Sequence, residues 1–158
     1  MSNSKSYAVK SISIVRVLIY KYAFDHNVVC IASGGNYGKN LVVYPAGDPG
    51  AIGVGSTNAQ DKRSTFSNYD VSSVRIAAPG EALITTYPGN NYAGVWGTSF
   101  GTALTSGTVA LLAQISPVIR TSAVADALDH GRRLQIDGMG DARLDVLASL
   151  MYFLTNGQ

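Results

Sequence analysis

The chain has 158 residues, of which 46% are hydrophobic and 14% charged, and a net charge of +2 at neutral pH. Frequent apolar residues and low charge exclude disorder as the main state, and the length suits one domain with a sizeable core. The small charge, with no Lys/Arg run, gives no basis for nucleic acid or an anionic membrane surface as a partner, and the single Cys30 excludes an internal disulfide framework and a cysteine-based zinc site.

Met1 to Lys10 is polar and lacks an apolar stretch followed by a small-residue cleavage site, so no signal peptide is expected there. Localisation is open between a cytosolic and an exported chain. Residues 11–26 place Ile12, Val15, Ile19 and Tyr22 at three- and four-residue spacings. That spacing predicts an amphipathic helix with this face buried and Arg16 and Lys21 in water. Ile12 to Ile19 is too short, and too charged at Arg16, to span a bilayer. Val28 to Ala32 is a continuous apolar run ended by Ser33-Gly34-Gly35, the pattern of a strand buried on both faces. Cys30 within it reads as a buried structural thiol.

Asp48-Pro49-Gly50 marks a turn. Ala51 to Gly55 and Val74 to Ala78 are two more apolar strand candidates, the second stopped by Pro79-Gly80. Leu83 to Tyr87 and Tyr92 to Trp96 flank Pro88-Gly89-Asn90-Asn91 and predict a hairpin. Ser99 to Ile115 is apolar on nearly all sides, which predicts a helix buried all round and closed by Pro117. Thr121 to His130 and Arg143 to Leu154 predict two further helices, with Gly131 a plausible stop for the first. The order argues one α/β layered domain over residues 1–158 with a parallel sheet. Three buried strands are few for such a sheet, so part of the architecture is expected to be missing. The 17 glycines concentrate between Gly34 and Gly107, where tight turns and close backbone approaches are needed.

Two stretches carry chemistry. In Gly97-Thr98-Ser99-Phe100-Gly101, Ser99 heads the long helix, where free N–H groups and the positive dipole end favour developing negative charge. The same serine could simply cap the helix. In Ala32-Ser33-Gly34-Gly35-Asn36, Asn36 follows the carboxyl end of a strand, where ligand sites of open α/β sheets gather. It could present its NH2 to an oxyanion, or be a turn residue in a left-handed conformation.

Taken together and in order, these stretches resemble the C-terminal half of a subtilisin-like serine peptidase. The strand ending in Ser33-Gly34-Gly35-Asn36, then Tyr44-Pro45-Ala46, Ala51 to Gly55, Phe66-Ser67-Asn68, Ala77-Ala78-Pro79-Gly80, Gly97-Thr98-Ser99 and Gly140 to Leu147 each resemble successive pieces of that family. The resemblance implies a three-layer subtilisin-like fold with a parallel sheet, truncated in its N-terminal half. It implies Ser99 as nucleophile, Asn36 as oxyanion-hole donor, Ser33, Gly34 and Gly35 against the substrate, and a peptide or protein as substrate. It implies no cofactor. Calcium is frequent in the family, but its strongest site draws on the other half, so no metal ligand is assigned. Family members are commonly secreted.

The departures matter as much. Phe100 to Gly107 lacks the Pro and His that follow the family serine, although Gly107 survives where a family helix needs close packing. The family's catalytic Asp and His lie in its N-terminal half, and this chain is expected to begin after both. Met1-Ser2 could match the Met-Ser that opens the substrate-binding strand, but Asn3-Ser4-Lys5 does not continue that pattern. Neither His26, about 17 Å or more from Asn36 along the strand, nor His130 is placed to act as base. The isolated chain is therefore expected to be inactive. Alternatives are a pseudoprotease fragment or peptide-binding scaffold, and a G-x-S-x-G elbow, for which Asp126 and His130 are too close together on one helix. The run Val28 to Ala32 would also be a sheet edge, apolar and without charge. That predicts a homodimer through the edge unless Met1 to Lys10 folds back to cover it.

Overall fold

In the computed structural model, residues 3–116 and 118–157 are described, with the side chains of the first helix described from Ile14 onward. Among the described residues, four helices, α1 (Asn3–Asp25), α2 (Thr98–Ile115), α3 (Thr121–Asp129) and α4 (Val146–Asn156), combine with seven strands. The strands are β1 (Cys30–Ser33), β2 (Ala51–Thr57), β3 (Ile76–Pro79), β4 (Leu83–Tyr87), β5 (Asn91–Val95), β6 (Arg132–Arg133) and β7 (Ala142–Arg143). One sheet has the order β1-β2-β3-β7-β6, and β4-β5 is a separate hairpin. β1, β2, β3 and β7 are parallel, and only β6 runs against β7. The fold class is the mixed α/β, mostly parallel one expected. The sheet has five strands rather than three, because the two-residue β6 and β7 carry no apolar run to announce them.

The sequence of β2 shows why α2, α3 and α4 gather on one side of this sheet. Ile52 and Val54 face α2, α3 and α4 and join Ile76, Ala78, Val109, Leu112, Val124, Leu128 and Phe153 in the main core. The alternate residues Gly53 and Gly55 face the other way, where the Ser73 carbonyl, Val74 and Met139 approach so closely that a Cβ would collide. The run that reads as continuously apolar is thus a period-two alternation of branched residues and glycines. A smaller cluster of Val74, Ala77 and Met139 seals that second face.

α2 lies across β1, β2 and β3, and it corrects one expectation. It is buried along a stripe of Thr98, Gly101, Thr105, Thr108, Val109 and Leu112, not all round. Ala103, Leu104, Ser106, Gly107, Ala110, Leu111 and Ala113 are exposed. A side chain at Gly107 would meet no atom within 4 Å, so the close packing expected there is absent. Gly101 is where the helix does come close, with a Cβ there 3.2 Å from that of Ala78. The buried threonines are tolerated because their hydroxyls donate back to carbonyls four residues earlier, Thr105 to Gly101 at 2.9 Å and Thr108 to Leu104 at 3.1 Å.

α1 corrects a second expectation. It starts at Asn3, so Asn3 to Lys10 continues the helix and does not fold back along the sheet edge. Its face is also reversed. Val15, Ile19 and Tyr22, expected in the core, are exposed at 52%, 59% and 65%, and Ile14 and Leu18 join them; the Ile12 side chain lies outside the described residues. Arg16, expected in water, pairs with the buried carboxylate of Asp48 and lies 4.1 Å from the centre of the Tyr44 ring. That ion pair, and the approach of Gly50 to the Tyr20 carbonyl and Phe24, turn the helix. Lys21 stays in water and pairs with Asp25 at 2.6 Å. Burial, then the neighbouring Cys30 and Asp48, push the Tyr20 hydroxyl's pKa up against the pull of Arg16. Ile31, the next residue of β1, packs against the main core beneath α2. Burial likewise raises the Cys30 thiol, which stays protonated at neutral pH.

Two helix ends are clear in the chain. Asp145 caps α4 by accepting from the Ala148 N–H at 3.0 Å, and α3 ends at Asp129, one residue before the expected His130. No described helix is long and apolar enough to cross a membrane. Phe153 is fully buried among α2, α3 and the sheet. Phe153→Ala should lower stability by about 3–5 kcal/mol, read as a drop in the urea midpoint at unchanged slope. A loss under about 1 kcal/mol would show that α4 is not part of the core.

Candidate active site

The carboxyl end of β1 and the head of α2 meet at one point. Asn36 follows β1 by three residues, and its Oδ1 accepts from the Thr98 N–H at 2.9 Å and from Thr98 Oγ1 at 2.8 Å. Thr98 Oγ1 also lies 2.6 Å from Ser33 Oγ. Thr98 is fully buried, while Asn36 and Ser99 are exposed. The amide oxygen of Asn36 is therefore occupied, and its Nδ2 is the group left to donate outward.

Ser99 does not cap the helix. The N-cap is Gly97, with φ 147°, and no side chain caps it. Ser99 is the second helical residue, its hydroxyl exposed at the positive end of an 18-residue helix. The Phe100 N–H is taken by the Gly97 carbonyl at 3.1 Å. A Cβ on Gly97 would stand 3.4 Å from Asn36 Nδ2, so the strand-end loop and the helix turn touch through glycine. Asn36 is not a left-handed turn residue either. The positive φ values nearby belong to Gly35 (95°) and Gly38 (67°).

The loop after β1 is held from behind by Asn68, a buried residue the sequence reading did not assign to the site. Its Oδ1 accepts from the Tyr37 N–H at 2.9 Å, and its own N–H donates to the Gly35 carbonyl at 2.9 Å. Gly34 donates to the Val54 carbonyl at 2.8 Å. Thr98 was missed as well; its signal was a β-branched hydroxyl residue lodged between the motif's Gly97 and Ser99.

The candidate bases lie elsewhere. His26 Nδ1 is 2.8 Å from the Tyr22 carbonyl oxygen and its ring stacks on Tyr22. His130 Nδ1 is 2.7 Å from the Asp126 carbonyl oxygen and its ring stacks on Tyr152. Among the described residues, neither histidine reaches Ser99. The elbow reading fails on the same geometry, because Asp126 points to Arg75. Asp129, whose carboxyl pKa is raised, pairs with Arg75 and not with Ser99. Burial raises it, the 2.7 Å bond to Arg75 opposes, and Asp126 and Asp141 add to the rise. No group of three or more His, Cys, Asp or Glu among the described residues could hold a metal ion.

Gly35→Ala tests the loop. A Cβ there would collide with Asn68 Nδ2 in a backbone region that side chains rarely adopt. The substitution should cost about 1–3 kcal/mol and loosen amide-exchange protection at Tyr37. Unchanged stability and exchange would show that Asn68 does not hold the loop.

Comparison with known proteins places this geometry in context. A model of the Subtilase family matches residues 2–138. The chain is 42% identical over 92 residues to thermitase of Thermoactinomyces vulgaris, covering 58% of this chain and 33% of that protein. It is 38% identical over 95 residues to subtilisin BL of Lederbergia lenta, covering 60% of this chain and 35% of that protein. It thus spans about a third of the length of these curated relatives. Among solved structures, a mutant of the protease domain of PatA superposes with a TM-score of 0.79 at 25% identity, over 90% of this chain and 54% of that one. The prenylagaramide maturation protease PagA superposes with a TM-score of 0.75 at 25% identity, over 84% of this chain and 53% of that one. The chain belongs to the subtilase family.

Proposed function

We propose that this chain supplies the nucleophile and oxyanion-hole half of a subtilisin-like serine endopeptidase, as one partial peptidase domain. Ser99 Oγ would attack the carbonyl carbon of a peptide bond, and its proton would pass to a base. The carbonyl oxygen, now negative, would be met by Asn36 Nδ2 and by the backbone N–H of Ser99. Ser33, Gly34 and Gly35 would lie under the substrate chain. The observation that carries this reading is the pair of bonds from Thr98 to Asn36 Oδ1, which leaves Nδ2 as a donor beside an uncapped helix head. Donors fixed before charge develops are the largest single source of acceleration in acyl transfer, because they need no reorganisation at the moment of reaction.

The missing element is the base. A serine hydroxyl is a weak nucleophile at its own pKa. In subtilisin itself, removal of the catalytic histidine lowers kcat about 10⁶-fold, a loss measured on that enzyme. With His26 and His130 both committed to backbone carbonyls and tyrosine rings, the chain alone is inactive on this reading. The same observation favours a second reading, a pseudoprotease fragment or scaffold that binds peptide without cleaving it.

Two measurements separate the readings. On its own, the chain should show no labelling by a fluorophosphonate probe above a Ser99→Ala control; strong Ser99-dependent labelling would reveal a base within the chain. A chimera joining the N-terminal part of thermitase to this chain should then hydrolyse peptides. That activity should vanish with Ser99→Ala and fall by about 10²–10³ with Asn36→Ala, the range known for removing one such donor in subtilisin. A folded but inactive chimera would favour the scaffold.

A further inference from the structure

The loop that carries Asn36 is not held by packing of its own side chains. Asn36, Tyr37, Lys39 and Asn40 are all exposed, so its course rests on backbone hydrogen bonds. The segment 66–69 supplies them. The Phe66 carbonyl accepts from the Gly38 N–H at 2.6 Å, and the Tyr69 N–H donates to the Lys39 carbonyl at 3.1 Å. Between these, Asn68 grips Asn36 from both sides. Its backbone N–H donates to the Gly35 carbonyl at 2.9 Å. Its side-chain Oδ1 accepts from the Tyr37 N–H at 2.9 Å and, more weakly, from the Lys39 N–H at 3.4 Å. The Gly35 carbonyl belongs to the peptide plane before the Asn36 Cα, and the Tyr37 N–H to the plane after it. With both planes held, the two soft dihedrals of Asn36 are held, and with them the direction in which its side chain leaves the backbone.

Asn68 is in turn tied to the sheet. It is wholly buried. Ser67 Oγ donates to the Asn68 carbonyl at 2.9 Å and accepts from the Ser56 N–H of β2 at 2.9 Å, and the Arg63 guanidinium donates to the Ser67 carbonyl at 2.7 Å. The Asn68 amide has one orientation, because turned over it would set its NH2 against two N–H donors. Its Nδ2 finds no acceptor among the described residues and lies against Gly35, so Oδ1 is the end of this side chain that holds. We propose that Asn68 is a positioning residue for the candidate oxyanion donor, an inference that rests on the peptidase reading of Asn36. Thr98 fixes the far end of the Asn36 amide and Asn68 fixes its root, so Nδ2 has one place to point. A donor fixed before charge develops needs no reorganisation during the reaction. Asn68 supplies that fixity without touching the substrate.

Nuclear magnetic resonance of the isotope-labelled chain reads this without catalysis. In the parent, the Asn36 side-chain amide should be as rigid as the β1 backbone by heteronuclear NOE. A mobile amide there overturns the proposal with no variant needed. In Asn68→Ala, or in Asn68→Ser should the first not fold, that amide should become mobile and its signals shift, with circular dichroism unchanged. An amide as rigid in the folded variant as in the parent shows that Thr98 alone fixes it, and the proposal fails. The chimera with the N-terminal part of thermitase adds the catalytic readout. Asn68→Ala should lower kcat there by about 10- to 10³-fold, at most the loss on removing the donor itself, with KM changed less than about twofold. In an Asn36→Ala background it should cost nothing further, because it acts through that residue. An equal loss in both backgrounds, or a change confined to KM, overturns the proposal. The amide measurement needs no activity, so an inactive chimera counts against the peptidase reading and not against the role of Asn68.

Discussion

The molecule turns on one amide oxygen. Asn36 Oδ1 takes two hydrogen bonds from Thr98, and those bonds join the end of β1 to the start of α2 across 62 residues of sequence. Without them, the first N–H of the helix would be unsatisfied at a buried residue, a cost of about 1–3 kcal/mol. The consequence reaches past stability. An amide whose oxygen is fixed has its nitrogen aimed, so the structural bond and the candidate catalytic donor are two ends of one planar group. The contact can be this close only because Gly97 carries no side chain and Gly35 accepts a φ of 95°.

How much of this was legible in the sequence depends on what each residue answers to. β2 was readable because Ile52 and Val54 obey core packing, and the glycines between them obey close approach. α2 and its serine were readable because a glycine-flanked motif precedes a long apolar segment. The face of α1 was not. A periodic apolar stripe is a rule about what a helix would bury given a partner, whereas here Arg16 found Asp48 first. Nor were β6 and β7 legible. Two residues show no period, and these strands are held by charges from afar: Asp61 accepts from Arg132 at 2.8 Å and from Arg143 at 2.9 Å. Pairs that join residues about 70–80 positions apart leave no local trace.

Asp61 illustrates a wider division in the fold. The β1, β2 and β3 side is held by packing, with Val54, Ile76 and Ala78 wholly buried. The β7 and β6 side is held by ion pairs at partly exposed groups, including Arg75 with Asp129. Exposed pairs are each worth little, about 0–1 kcal/mol, and salt weakens them. The two margins of the sheet therefore answer differently to salt, which weakens the ion-paired side and leaves the packed side unchanged.

The exposed stripe of α1 and the open groove beside α2 flank one strand. Both lie along β1, which ends three residues before the candidate oxyanion donor Asn36. Among the described residues β1 has a strand partner on one side only, β2, while its two faces carry α1 and α2. Ser99 and Asn36 sit at the carboxyl end of the same strand, whereas His26 and His130 are each tied to a carbonyl of the helix they follow. The positions of the candidate nucleophile and donor are thus fixed by contacts between the end of β1 and the head of α2, independently of either histidine.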